Sequence, residues 1–510
     1  MRTSFKTILL AATFSLTALA PAWAAKTLYF GLSVEPSTLE ASVQAGTAAR
    51  TVRLAIHRGL LNYGVDGKLS SELAQSYSVS PDGKEYTFIL RKASFHDGEP
   101  VTAEDVKATF AWLLGPNSRA TYKGELGVID SIEVVDPQTV RFHLKNVFVP
   151  FPHYLALAES AILPKAWLEK NGTNPNAAPV GAGPFQFVTW SRGREIVLKK
   201  FPGYYKAGKP GVDELHFQFT TDDDTRVNAI RTGDVDIIEY VPWKDLPALK
   251  KDKNIRIEST SGPFMMLQFN THFEPFSKPE VRQAVSYAIN RAVVIDTAFN
   301  GAGTPLYGLP FVKGAPGYNP ALENYFSYNP AKAKELLAKA GYPNGFKARL
   351  LATAQYGYHM NTAIAVKSEL AKVGIDADLD LPDWAGRMAK NNAGNYDFVV
   401  AGTAGDITDP DWLSNFYYGG KQLVRMNNSP YFDDPEINRL LDAGRVTLDE
   451  TARAKIYDEF AKRALELSPF AYIMWRDQSY AVRSNVSGFT NLPGFLSFQS
   501  GYSLENVTLK

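Results

Sequence analysis

The side chains that commonly carry out catalysis do not occur here at the spacings that catalysis requires. A serine hydrolase would show G-x-S-x-G and a zinc hydrolase H-E-x-x-H, and the 510-residue sequence contains neither. The seven histidines are scattered without the short spacing that metal ligands need. They are His57, His96, His143, His153, His216, His272 and His359. The sequence therefore predicts a protein that is not an enzyme and that holds no metal or other cofactor.

Apolar periodicity and turn residues predict alternating strands and helices, which is typical of mixed α/β lobes. Residues 26–32 are predicted to form a strand and residues 47–61 a helix. Thr102 begins an [ST]-x-x-[DE] capping pattern before an apolar helix. A second helix is predicted over 224–231, with Gly233 as its left-handed cap.

Proline and glycine mark where the longer segments begin and break. Pro279 is predicted to open a helix that runs through Ile289 to Ala292. Gly262-Pro263 and Ser468-Pro469 interrupt two extended apolar stretches. These two dipeptides are predicted to be crossing points between lobes.

Length and composition limit the function classes. A chain of 510 residues predicts two or three lobes rather than one core. The formal charge is +1 without a basic run, which argues against a nucleic-acid partner. Aromatic residues make up 12% of the chain, enough to fill cores and also line a cleft. Because there is no cysteine, these cores must hold the fold without disulfides.

The first two dozen residues are typical of a secretory signal peptide. Arg2 and Lys6 precede an apolar run over 8–20, and Ala22-Trp23-Ala24 follows as a small-x-small cleavage signal. A transmembrane anchor is the alternative, but the run is shorter than the roughly 20 residues that a span needs. The absence of cysteine excludes a lipoprotein anchor. We therefore predict export to a Gram-negative periplasm.

Signal cleavage is expected after Ala24, because Ala22 and Ala24 supply the small side chains that the peptidase requires. Amino-terminal sequencing of the periplasmic fraction checks this. A mature chain that retains Trp23, or a form bound to the membrane, would contradict the prediction.

Several segments occur together in the order and spacing of a known family. The chain resembles the extracellular solute-binding proteins of family 5, the dipeptide, oligopeptide and nickel class of ABC importers. The matching segments cover essentially the whole mature chain. They are His57-Arg58-Gly59-Leu60-Leu61, Leu73-Ala74, Pro81-Asp82-Gly83, residues 95–106, Val180-Gly181-Ala182-Gly183-Pro184-Phe185, Phe269-Asn270, residues 281–291 and Asp409-Pro410-Asp411.

The resemblance implies an α/β fold of the two-lobed periplasmic binding protein type (type II, cluster C), with an extra subdomain on lobe one. By similarity, residues 1–24 are the signal peptide, 25–265 lobe I with the extra subdomain at about 60–190, 266–470 lobe II, and 471–510 the return to lobe I. Such a protein binds its ligand between the lobes, and the ligand shifts the population toward the closed state. The permease subunits in the inner membrane, with their cytoplasmic ATPase, are the implied partners of a monomer.

One residue of the motif carries a specific chemical expectation. In peptide-binding members, the Asp four residues before the Pro of this loop takes the ligand's α-amino group, and that spacing falls on Asp406 before Pro410. A carboxylate that faces an ammonium in a closing cleft makes a charge-assisted hydrogen bond. The alternative is that Asp406 only caps a turn.

The carboxylate end of a peptide has no predicted partner. Dipeptide-selective relatives place an arginine near 354–358, and this chain has no basic residue there. Arg387 and Arg425 are substitutes on lobe II, although we expect each to be solvated at the surface. Further candidates for ligand contact have an alternative role in the core or in surface loops. These are Gln355, Tyr356, Tyr358, Trp384, Trp412, Ser33 and Glu35.

The sequence thus predicts the solute-binding component of an ABC import system that captures peptides. A binder of a sugar, an opine or a metal chelate such as a nickel complex is the alternative within the class, because Gln355 and the tyrosines beside it also suit such ligands. An exported hydrolase is a remote alternative.

Overall fold

The computed structural model describes residues 25–172, 174, 177–420 and 428–510. The predicted signal segment and Arg425 lie outside the described residues. The strands are β1 (Thr27–Leu32), β2 (Leu61–Tyr63), β3 (Leu69–Ser71), β4 (Ala74–Val79), β5 (Glu85–Leu90), β6 (Ile129–Asp136), β7 (Thr139–Leu144), β8 (Phe185–Ser191), β9 (Glu195–Lys200), β10 (Glu214–Phe219), β11 (Ile237–Ile238), β12 (Ile255–Phe269), β13 (Gly303–Pro305), β14 (Phe346–Leu351), β15 (Ile375–Asp380), β16 (Phe398–Thr403), β17 (Phe470–Arg483), β18 (Val486–Ser487) and β19 (Thr508–Leu509).

Helices cover the faces and ends of these strands. None of the described helices is both long enough and apolar enough to cross a membrane. The α-helices are α1 (Gly46–Ile56), α2 (Ala103–Leu114), α3 (Lys123–Leu126), α4 (Phe151–Leu155), α5 (Lys165–Asn171), α6 (Asp223–Thr232), α7 (Leu246–Leu249), α8 (Glu274–Ser277), α9 (Pro279–Ala288), α10 (Arg291–Phe299), α11 (Pro330–Lys339), α12 (Gly357–Ala371), α13 (Trp384–Asn392), α14 (Ser414–Tyr417), α15 (Pro435–Val446) and α16 (Glu450–Leu467). The 3-10 helices are Ala158–Ser160, Pro320–Leu322, Pro410–Leu413 and Gly494–Asn506.

Two long antiparallel strands, β12 and β17, form the middle of an eleven-stranded sheet. Beyond β17 lie β11, β1, β10, β9 and β8, and we call this part the first lobe. Beyond β12 lie β16, β14 and β15, and we call this part the second lobe. Each lobe has its own buried apolar core, around Leu28 and Phe217 in the first and around Leu267 and Leu350 in the second. The chain therefore passes between the lobes along β12 and β17.

The pairing of β12 with β17 is irregular where the lobes meet. The register shifts between Ser261 and Phe264, at Gly262-Pro263, because proline has no N–H for the ladder. The backbone at Gly262 also lies against Gly494, so that a Cβ at 262 would stand 2.1 Å from the Gly494 carbonyl oxygen. The first predicted crossing point coincides with this break.

The second predicted crossing point differs from the structure. Ser468 ends α16 in the left-handed conformation with φ of 45°, and Pro469 only precedes β17. The residues of β17 that face the break in β12 are 475–477. A proline that follows the end of a helix and a proline that breaks a strand between lobes give the same signal in sequence.

Gly262→Ala is expected to lower the free energy of unfolding by about 1–3 kcal/mol, because the added methyl group meets backbone atoms that have no room to move. Gly357→Ala, at the first residue of α12, is the control, because a Cβ there meets nothing within 4 Å. It is expected to be neutral or stabilising. Denaturant midpoints measure both, and a Gly262→Ala protein of wild-type stability would show that the close approach is unimportant.

A four-stranded antiparallel sheet in the order β4-β5-β7-β6 forms the extra subdomain with α2. One face of β5 and β7 is buried through Phe88 and Phe142, whereas their intervening residues are partly or fully exposed. The predicted capping box is confirmed, since Thr102 N donates to Asp105 Oδ2 at 2.9 Å.

Other local predictions are confirmed, with two exceptions. The helix predicted over 47–61 is α1, which ends at Ile56 because the backbone is extended at His57, and β2 begins at Leu61. The strand at 26–32 corresponds to β1, and Gly233 ends α6 with φ of 90°. The helix from Pro279 ends at Ala288 instead of continuing to Ala292. A new helix starts there because the side chain of Asn290 caps α10.

The carboxy-terminal segment returns to the first lobe, where the 3-10 helix Gly494–Asn506 packs on α1. Glu505 on this segment binds Arg58, with 3.0 Å between Oε2 and Nη2. It also accepts a hydrogen bond from Tyr204 and pairs with Lys206. A buried ionic network thus holds the end of the chain to the first lobe.

Candidate ligand site at the junction of the lobes

Asp406 lies in the loop after β16 of the second lobe and faces the first lobe. Gln44 Nε2 donates to Asp406 Oδ1 at 3.2 Å, and Gln499 Nε2 donates to the Asp406 backbone oxygen at 3.5 Å. Burial raises the pKa of the Tyr122 hydroxyl, and the negative charge of Asp406 raises it further. Asp406 is therefore positioned at the junction and does more than cap a turn in its own lobe.

The charge of Asp406 has no dedicated cation among the described residues. Burial raises the pKa of its carboxyl group, and the Arg50 guanidinium opposes this rise. Arg50 already forms an ion pair with Glu159, with 3.0 Å between Nη2 and Oε1. A partly buried carboxylate without its own counter-ion suits a cationic group brought by a ligand.

Four of the predicted site residues come together on the second lobe. The ring centres of Tyr356 and Trp384 are 5.2 Å apart, and those of Tyr356 and Tyr358 are 6.1 Å apart. Gln355 Oε1 accepts a hydrogen bond from Trp384 N at 3.0 Å. Tyr358 also packs against Trp243 of the first lobe at 5.6 Å. These residues form an aromatic panel that reaches the junction; we define the panel as Tyr356, Tyr358 and Trp384.

Trp412 belongs to the core and does not line this panel. It is 2% exposed, and its ring centre lies 5.0 Å from that of Phe495 and 5.2 Å from that of Phe416. A Cβ at Gly405 would lie 3.0 Å from the Trp412 ring, so the indole packs against the loop that carries Asp406. Of its two predicted roles, the structure shows the one in the core.

Ser33 and Glu35 are bonded within the first lobe. Ser33 Oγ donates to Glu239 Oε1 at 2.8 Å. Glu35 accepts from Trp190 Nε1 at 2.9 Å and from Gly193 N at 3.0 Å. The structure therefore shows both side chains in contacts that shape the loop after β1, and it does not bring them to the aromatic panel.

Arg476 is a charged residue of the junction that sequence reasoning missed. It lies on β17 opposite the break in β12, and only 4% of it is exposed. Its guanidinium carbon is 5.6 Å from the ring centre of Tyr358. The signal that could have found it is an Arg-Asp pair that interrupts the apolar stretch over 470–475.

Arg387, expected at the surface, is buried in the second lobe. It is 1% exposed, donates from Nη2 to the Val400 oxygen at 2.9 Å and lies 4.9 Å from the ring centre of Trp384. Burial, with Arg387 and Arg476 nearby, lowers the pKa of His359 to about 3, so His359 is neutral. The prediction of a solvated Arg387 was wrong because its guanidinium binds a backbone oxygen inside the second lobe and lies beside the Trp384 ring.

Two short segments of the first lobe connect the surroundings of Asp406 and Arg476. Gln44 contacts Asp406, and Thr47, three residues later, bonds the hydroxyl of Tyr240 at 3.2 Å. Trp243, in the segment after Tyr240, donates from Nε1 to the backbone oxygen of Asp477, next to Arg476, at 3.0 Å, and the Arg476 charge lowers the burial-raised pKa of Tyr240. The carboxylate and the guanidinium thus flank one junction.

A similar connection runs through 498–499. Phe498 stacks on Tyr240 with 6.4 Å between ring centres, and Gln499 reaches the Asp406 loop.

A separate cavity of about 560 Å³ lies within the first lobe, between Leu39, Trp112 and Trp167, and none of the predicted site residues lines it. Within the described residues, no group of three or more histidine and acidic side chains could hold a metal ion.

Two lobes that share two crossing strands, with opposite charges and an aromatic panel where they meet, define a solute-binding protein. Residues 68–423 match the bacterial extracellular solute-binding proteins, family 5 (middle). The chain belongs to this family, whose members serve ABC importers, and it is the solute-binding component of such a system. The resemblance inferred from sequence, including the two-lobed type II fold, is confirmed.

Relatives cover nearly the whole chain. The glutathione-binding protein GsiB of Salmonella choleraesuis (strain SC-B67) is 30% identical over 96% of each chain. Among solved structures, the binding protein AgaA of A. tumefaciens R10 in complex with agropinic acid is 61% identical, with a TM-score of 0.86 over 95% of this chain and 99% of that one. DppA of Helicobacter pylori in complex with the peptide STSA is 26% identical, with a TM-score of 0.82 over 95% and 98%.

Proposed function

We propose that this protein is a monomeric periplasmic binding protein that captures a small amino-acid-derived acid of the opine kind and delivers it to an inner-membrane permease. The observation that carries the proposal is the junction itself. Asp406 faces it as an acceptor for the N–H and O–H groups that such a solute carries, and the aromatic panel supplies a flat apolar wall with hydroxyl groups. The protein binds its solute and does not transform it.

The choice of an opine-type acid is supported by the similarity to AgaA, whose structure contains agropinic acid. At 61% identity, that relative shares far more of its sequence with this chain than the peptide-binding DppA does, at 26%. The panel of Tyr356, Tyr358 and Trp384 suits a ligand with both hydroxyl groups and an apolar face.

A short peptide is the second candidate. Asp406 occupies the position that, by the resemblance described above, takes an α-amino group, and Gln44 of the first lobe donates a hydrogen bond to it. The similarity to GsiB and DppA supports this candidate too.

Calorimetry with agropinic acid, glutathione and the dipeptide Met-Leu tests the choice of ligand. We expect saturable binding of agropinic acid and weaker binding of the two peptides. Tight binding of a peptide alone would favour the second candidate, and binding of none would overturn both. Mannitol, which lacks amine and acid groups, serves as the control ligand.

Ligand binding should also close the lobes. Because residues of both lobes flank the junction, a ligand there stabilises the closed form by contacts that the open form lacks. Small-angle scattering should show a smaller radius of gyration with the bound ligand, and the melting temperature should rise with ligand concentration beyond saturation. An unchanged radius with a confirmed bound ligand would contradict closure.

A further inference from the structure

Arg476 is a buried cation to which the described residues offer no carboxylate. Its Nε and Nη1 have no hydrogen-bond partner in the described part of the chain, and no acidic oxygen there forms an ion pair with it. Removing a charged guanidinium from water without a counter-ion is strongly unfavourable. A buried guanidinium without a carboxylate is therefore expected where a bound ligand supplies the anion.

Other buried arginines show how this chain normally satisfies such a side chain. Arg453 binds both carboxylate oxygens of Asp409 at 2.8 Å. Arg291 has no acid but donates to several backbone oxygens, including that of Leu306 at 2.7 Å. Arg476 has neither arrangement, so its surroundings were not built to neutralise it within the protein.

The surroundings of Arg476 belong to both lobes. Tyr358 of the second lobe lies against its guanidinium, and Trp243 of the first lobe packs on Tyr358 at 5.6 Å and donates to the backbone oxygen of Asp477 at 3.0 Å. Arg476 itself is on β17, at the break where the two lobes meet. An anion bound to it would therefore contact the strand that both lobes share.

We propose that Arg476 binds the carboxylate of the ligand and makes this protein selective for anionic solutes. The inference rests on the proposed function, in which the ligand lies at the junction. A guanidinium holds a carboxylate by charge-assisted hydrogen bonds, and burial strengthens them. In this chain, Arg476 on β17 would thus take the role of the arginine that dipeptide-selective relatives place near 354–358.

This placement couples recognition to closure. Arg476 is buried where the lobes meet, and this arrangement is favourable only when a bound anion neutralises the charge. An acidic ligand should therefore close the lobes, whereas a neutral analogue that still binds the aromatic panel should leave them mainly open. Scattering of the wild-type protein with the acid and with its carboxamide measures this difference.

The decisive experiment compares agropinic acid with its primary carboxamide on wild type, Arg476→Gln and Arg476→Lys by calorimetry. We expect Arg476→Gln to lower the affinity for agropinic acid roughly 30-fold or more. The wild-type protein should bind the carboxamide with a similarly reduced affinity. Combining both changes should cost little more than either alone, because they remove one interaction. Arg476→Lys should retain part of the affinity, and Arg439→Gln, an exposed arginine on α15, should change nothing.

Each outcome bears on the inference. Equal binding of acid and carboxamide by the wild-type protein would overturn it, even if Arg476→Gln failed to fold. If wild type binds Met-Leu instead of agropinic acid, the opine ligand is wrong, and the same comparison with the carboxy-terminal amide of Met-Leu tests Arg476 separately. Binding of none of the three solutes would overturn the proposed ligand and the inference together.

Discussion

Asp406→Asn is expected to lower the affinity for an amine-bearing ligand by about 2–5 kcal/mol, the usual cost of leaving a buried charge unpaired. Asn keeps the size and the turn-forming ability of Asp, so the protein should still fold. The unliganded variant should be no less stable than wild type, because burial raises the pKa of Asp406 and so disfavours its ionised form. Calorimetry with Met-Leu and denaturant unfolding without ligand measure the two effects.

The pH dependence of the wild-type protein follows from the same shift. Since the pKa of Asp406 is above its ordinary value, the carboxylate is lost at a higher pH than for an exposed Asp. Affinity for an ammonium ligand should therefore decline as the pH falls through this raised pKa, and the decline should be absent in Asp406→Asn.

Two controls make the Asp406 result specific. Asp378→Asn, an exposed position on β15 of the same lobe, should bind as wild type does. Acetylating the amino group of Met-Leu should cost as much as Asp406→Asn, and the two losses should fail to add if the groups touch. Intact affinity after either change would contradict the role of Asp406 and favour a ligand without an ammonium group.

Glu505→Gln is expected to lower the free energy of unfolding by about 3–5 kcal/mol, because it leaves buried cations without their acid. The carboxylate pairs with Arg58 at 3.0 Å and with Lys206 at 3.0 Å, and the Tyr204 hydroxyl donates to it at 2.6 Å. Glu72 remains as the only other acid beside Arg58 among the described residues. The midpoint and slope of urea unfolding at pH 7 measure the loss.

The effect of Glu505→Gln should disappear in acid. Burial favours the neutral acid, but Arg58 and Lys206 outweigh it and hold the pKa of Glu505 well below its ordinary value. The ionised group therefore stabilises the fold above the unfolded pKa of about 4.3, and this stability is lost as the pH falls toward the lower folded value. Glu133→Gln, which breaks an exposed pair with Arg141, should cost less than about 1 kcal/mol, and a similar cost for Glu505→Gln would refute the network's importance.

Elements whose signals lie close together in sequence were predicted well. The capping box at Thr102 and the left-handed glycine at 233 depend on residues within one helical turn, and both occur as expected. The helix from Pro279 was predicted too long because apolar spacing continues past Ala288, whereas the side chain of Asn290 starts a new helix. Apolar periodicity alone does not show where one helix ends and the next begins.

The candidate site was predicted in part. Motif spacing singled out Asp406, and the aromatic residues near 355 were recognised as candidates. Their shared panel with Trp384 depends on the contact between the amino-terminal ends of α12 and α13, which lie far apart in sequence. Trp412 looked equivalent to Trp384 in sequence, and only its contacts with Phe416 and Phe495 distinguish it as core.

By itself the sequence determined the class of this protein, because the segments that build a two-lobed binding protein are local and occur in colinear order. Only the tertiary structure decided which charges remain available to a ligand. Arg50 and Arg476 are both buried arginines, yet Glu159 neutralises the first and no acid in the described residues neutralises the second. That difference arises because a charge is satisfied or left open by groups far away in sequence, which folding alone brings together.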